Sequence, residues 1–101
     1  MSTLTGVHFI GPRESREGSV PFRAQDPRRG ADLDPDFVEA TPEEIEAAVR
    51  AAEDAFEAYA AIPASGRASF LRALATQIEA RGDGLLERAE AETALPRPRL
   101  T

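Results

Sequence analysis

The sequence predicts an α+β fold, mainly α, in which short N-terminal strands lead into an antiparallel helical hairpin and a third short helix. Two observations predict it. The composition changes near residue 40: five of the eight prolines fall at or before Pro42 and four of the seven glycines at or before Gly30, whereas the rest is rich in Ala and Glu. Beyond residue 40 the apolar residues recur at helical steps, and before it they occur only in short runs. The chain therefore divides into an extended or stranded lead over 1–40, a three-helix segment over 41–96 and a tail over 97–101.

The lead is read from its punctuation. Val7 to Ile10 is a short apolar run closed by Gly11-Pro12 and reads as a strand. Arg13 to Ser19 is polar, ends in Gly18-Ser19 and reads as a turn or loop. Val20 to Ala24 alternates weakly and reads as a second strand. Pro21 has no backbone donor, so this strand must lie at an edge or begin at the proline. Asp26-Pro27-Arg28-Arg29-Gly30 has Pro and Gly placed for a tight turn. Ala31 to Glu39 is then extended, anchored by Leu33, Phe37 and Val38.

The helices are signalled more strongly. Thr41-Pro42-Glu43-Glu44 reads as an N-cap, a proline at the first helical position and a capping-box glutamate. Ile45, Ala48, Val49, Ala52, Ala55, Phe56 and Tyr59 then form one apolar stripe, with Glu46, Arg50, Glu53, Asp54 and Glu57 opposite. Pro63 stops the helix. A second helix starts between Pro63 and Ser65 with a stripe of Ala68, Leu71, Leu74, Ala75 and Ile78, and Gly82 fits its C-cap. A third starts at Asp83, carries Leu85, Leu86 and Ala89, and ends by Leu95-Pro96. Two prolines keep Arg97 to Thr101 from being helical. The short link at Pro63 predicts that the first two helices pack as a hairpin, burying Phe56, Tyr59, Phe70, Leu71, Leu74 and Ile78.

Composition excludes several kinds of chemistry. The net charge is −6 and argues against a nucleic-acid or anionic-membrane partner, which need a basic footprint. There is no Cys, so no disulfide, thiolate metal site or Cys nucleophile can form. The single histidine, His8, cannot build a His-rich zinc site. No apolar run is long enough to span a membrane, and Met1 to Ile10 has no signal-peptide pattern, which points to the cytoplasm. Arg is the only basic side chain besides His8, and Ala is abundant, which suggests a GC-rich bacterial genome.

No self-contained active site emerges, and no catalytic, cofactor-binding or metal residue is assigned. The glycines have neither dinucleotide nor P-loop spacing, and Gly82-Asp83-Gly84 reads as a helix-to-helix turn. Glu43-Glu44, Glu53-Asp54 and Glu90 with Glu92 read as solvated helix faces with ordinary pKa values. Ser2, Ser15, Ser19, Ser65 and Ser69 would all depend on His8, which reads as a packed or edge residue with no third group to orient it. Arg28-Arg29 and Arg97-Pro98-Arg99 read as solvated pairs rather than anion clamps.

In order, these residues resemble a known family. The series is Phe22-Arg23-Ala24, Asp26-Pro27, Gly30, Phe37 and Ala40-Thr41; then Ala47-Ala48-Val49, Ala51-Ala52 and Ala55-Phe56; then Arg67-Ala68, Phe70-Leu71, Ala75 and Ile78-Glu79. Leu85-Leu86, Ala89, Glu92-Thr93, Leu95-Pro96 and Arg99-Leu100 complete it. From Val20 to Leu100 the chain resembles the N-terminal region of NAD(P)-dependent aldehyde dehydrogenases. It looks nearest to the branch that oxidises α-ketoglutarate semialdehyde (2,5-dioxovalerate), often labelled NADP-dependent fatty aldehyde dehydrogenase. Two positions depart from the family pattern: Ala94 stands where Gly is usual, and Pro98 where a small non-proline residue is usual.

The resemblance implies a piece of a larger α/β enzyme, with the three helices flanking its dinucleotide-binding domain. It implies a Cys thiolate nucleophile, an Asn oxyanion donor and a water-activating Glu, all downstream of Thr101. NAD or NADP would then belong to the whole enzyme and none to this chain alone. The expected partner is the remainder of the enzyme or its subunits, with self-association through exposed helix stripes when that remainder is missing. The alternative is a stand-alone helical interaction module without enzymatic activity.

Overall fold

A computed structural model describes residues 4–101. Six short strands precede four helices. They are β1 His8–Ile10, β2 Arg13–Ser15, β3 Pro21–Phe22, β4 Gln25–Asp26, β5 Ala31–Asp32, β6 Phe37–Val38, α1 Pro42–Ala60, α2 Ala64–Ala80, α3 Gly82–Thr93 and α4 Arg97–Leu100. The strands pair antiparallel in twos: β1 with β2, β3 with β6 and β4 with β5.

The first pair is a tight hairpin. Ile10 faces Arg13, so only Gly11 and Pro12 make the turn. Gly11 has φ +57°, the left-handed value that two-residue hairpins favour at their first central position. Arg13 to Ser15, expected as loop, is therefore a strand. Its residues are polar because it is the outer strand of a hairpin, where burial gives no apolar signal.

The other two pairs form one interrupted stem. Inside, Asp26 faces Ala31 across a four-residue turn ending at Gly30, whose N–H donates to the Asp26 carbonyl at 2.8 Å. Outside, Phe22 faces Phe37 and Pro21 faces Val38, so the strand begins at its proline. The Phe22 and Phe37 rings stack with centroids 5.6 Å apart. Leu33 N–H donates to the Ala24 carbonyl at 2.8 Å. Between the ladders the outgoing strand spends two residues, Arg23 and Ala24, and the returning strand four, Leu33, Asp34, Pro35 and Asp36. That mismatch is a bulge, and the Asp34–Pro35 bond within it is cis.

α1 begins as its cap motif requires. Thr41 Oγ1 accepts the Glu44 N–H at 3.1 Å, and Glu44 Oε1 accepts the Thr41 N–H at 2.9 Å. The helix then departs from expectation in which side it packs. The β1–β2 hairpin rests on Glu44, Ala47 and Ala51, which are buried or half-buried. The apolar stripe stays open: Ile45 is 56%, Val49 63% and Phe56 69% exposed. Small side chains allow the hairpin to approach, and the large ones stay exposed.

The antiparallel helical hairpin does not form. α1 and α2 meet only near their junction, where Tyr59 and Phe70 make an edge-to-face contact at 5.8 Å, and α2 has no extended packing against any other element. Phe70, Leu71, Leu74 and Ile78 are exposed rather than core. The short link sets adjacency in sequence, but apolar stripes pair only if they face each other. The radius of gyration is 17.0 Å, against about 13 Å for a compact chain of this length.

The C-terminal part differs in two places. Gly82 is not a left-handed cap; it is the first residue of α3, and Arg81 serves as both the end of α2 and the entry to α3. Because the next helix starts at once, no chain reversal is needed there. Arg97 to Leu100 is a helical turn, not a non-helical tail. Pro96 precedes it and Pro98 lies in its first turn, where a missing N–H breaks no helical bond.

Candidate functional site

The most enclosed polar group among the described residues is the Glu44 carboxylate, and everything that packs at the head of α1 converges on it. The side chain is 3% exposed. Oε1 takes the Thr41 N–H within the capping box. Oε2 takes the Ser15 hydroxyl from the end of β2 and the Glu17 N–H at 3.1 Å. One carboxylate thus ties the first hairpin, the segment after it and the first helix together. Ile10, with Val38 one of the two buried apolar side chains among the described residues, lines the same groove as Glu44.

These hydrogen bonds hold the Glu44 pKa down from 4.5 to about 2, led by the Ser15 hydroxyl and then the Thr41 N–H. Burial pushes the other way, and the Glu17 N–H and nearby His8 add to the lowering. Glu44 is thus neither a solvated glutamate nor one of ordinary pKa, contrary to the reading of Glu43-Glu44 as a water-facing pair. Its capping motif is visible in sequence; its burial is not, because that depends on a hairpin about thirty residues earlier in the chain.

Ser15, His8 and Glu44 come together here, with Ser15 directly across the ladder from His8. The wiring is not that of an activated nucleophile. The serine proton points to the carboxylate, which at so low a pKa is a weak base. His8 Nε2 is enclosed and has no hydrogen-bond partner. Beside it a shallow groove of about 340 Å³ runs between β1 and the open stripe of α1, lined by Phe9, Ile45, Ala48 and Val49. The cluster is a structural knot with an apolar flank.

The other weighed residues stay apart. Ser69 donates to the Ser65 carbonyl within α2, and Ser19 is exposed. Ser2 lies outside the described residues. Glu53 and Asp54 are exposed, and Glu92 accepts Arg88 Nε at 2.6 Å. Arg28 Nη2 donates to the Ala94 carbonyl at 3.3 Å, while Arg29 reaches Asp26. Arg97 reaches Asp83 at 3.4 Å. Neither arginine pair converges on an anion site. Gly82 and Gly84 both lie inside α3 rather than in a strand-to-helix loop.

Sequence reasoning missed a second junction. Arg23, opposite the bulge, pairs with Asp36 and, at 3.3 Å, with Asp34. From the other side Arg88 Nη1 donates to the Asp34 carbonyl at 2.5 Å, joining α3 to the stem. Arg88 Nη2 is enclosed without a partner. The spacing Asp34-Pro35-Asp36 near an arginine was the one available signal. At the far end of α3, Ala94 holds φ +61°, and its N–H donates to the Glu90 carbonyl at 2.9 Å.

No described helix is long and apolar enough to cross a membrane. A family model described as "Aldehyde dehydrogenase family" matches residues 17–99. The chain is 46% identical over 98 residues to alpha-ketoglutaric semialdehyde dehydrogenase 2 of Azospirillum brasilense, an alignment covering 96% of this chain. It spans 19% of that relative's length. No solved structure matches.

Proposed function

The chain belongs to the aldehyde dehydrogenase family, and from that premise we propose that it serves as the N-terminal structural part of an enzyme that oxidises a semialdehyde to the carboxylate with NAD(P). The substrate class follows the similarity to the Azospirillum enzyme. The chain's own role is to provide a surface; the nucleophile, the side-chain oxyanion donor and the cofactor site come from the remaining four-fifths of such a protein. Residues 41–96 flank its dinucleotide-binding domain, and the enzyme works in the cytoplasm.

The observation that carries this reading is the open face of the two long helices. α1 is gripped on its alanine side and bare on its large apolar side, from Ile45 and Val49 to Phe56. α2 carries exposed apolar side chains of its own in Leu71, Leu74 and Ile78. Each large side chain contributes roughly 1.5–3 kcal/mol when fully buried, so this surface is expensive to leave wet and suited to a large cover. Expressed without that cover, the chain associates with itself through the same face.

A chimaera tests the proposal. The matching N-terminal fifth of the Azospirillum relative is replaced by this chain, and NAD(P)-dependent oxidation of α-ketoglutarate semialdehyde is measured. A folded, active chimaera is expected. A chimaera that is insoluble or inactive, while the relative's own sequence works in the same vector, overturns it.

A further inference from the structure

We draw no further inference here: the strongest candidate, the uncovered apolar side chains Val49 and Phe56 on α1 with Leu71 and Ile78 on α2, already carries the proposed function, and nothing in the structure shows a different occupant.

Discussion

The Glu44 carboxylate accepts the Ser15 hydroxyl across 29 positions of sequence, and this bond fastens the first hairpin to the first helix. Its consequence is a defined acid sensitivity. The folded pKa of about 2 lies below the ordinary 4.5, so ionised Glu44 contributes stability that is complete above about 4.5. That stability is lost as pH falls toward 2. Exchange of the Glu17 amide, followed from pH 7 down to 2, should accelerate beyond its intrinsic pH dependence over that window. Glu44→Gln should remove the window and raise exchange already at pH 7. An unchanged profile in the variant would show that the carboxylate does not hold the hairpin.

Ala94 sits in the left-handed region without the freedom glycine has. That conformation costs an L-residue roughly 1–2 kcal/mol. Part of the gain from glycine is offset by its greater entropy loss, so Ala94→Gly should stabilise the α3 terminus by about 1 kcal/mol. Urea unfolding followed by circular dichroism checks this, and a lower midpoint would contradict it.

A side chain at Gly18 would place its Cβ 1.9 Å from the Glu39 carbonyl oxygen, a backbone atom that cannot rotate away. Gly18→Ala should therefore destabilise the packing of the lead on β6 by ~1–3 kcal/mol. Gly30→Ala has open space at its Cβ, and only its φ of +62° opposes it. Its cost should be roughly 1–2 kcal/mol. Comparing the two separates collision from backbone strain.

Charges on the bare face distinguish a covered surface from a solvated one. Phe56→Asp and Leu71→Asp should change the stability of the isolated chain, measured at a dilution where it is monomeric, by no more than about 0.5 kcal/mol, as surface substitutions do. In the chimaera the same changes should abolish soluble assembly, because an unpaired charge would be buried. Equal tolerance in both settings would mean that nothing covers the face.

The purified chain should reduce no NAD(P) in the presence of an aldehyde, since it has no thiol to form the thiohemiacetal. Absorbance at the reduced nicotinamide band measures this, and a rate above the buffer background would contradict the assignment of the chain to a structural role.

Local signals were legible in the sequence and distant ones were not. The cap at Thr41, the strand start at Pro21 and the turn at Gly30 each depend on a few adjacent residues, and the structure places all three as read. The hairpin strand at Arg13 to Ser15 was hidden because its partner strand supplies the order and its own residues are polar, with Arg13 and Glu14 exposed. The side on which α1 packs was misjudged for a related reason. Periodicity identified its largest apolar face, whereas the hairpin chose the alanines, where it could come closest. Burial of Glu44 and the clamp of Arg23 and Arg88 on Asp34 join residues far apart in the chain, beyond the reach of any local pattern.

A helix held by little more than one aromatic contact near its start has to survive largely on its own ladder. At seventeen residues, α2 is near the length at which a solitary helix in water is only marginal. It should open and close far more often than the capped head of α1, and proteases find such segments first. Brief trypsin digestion of the isolated chain should cut after Arg67 and Arg72 before any site in the interrupted stem. That order of cleavage would serve as a simple gauge of whether the second helix has found its seat.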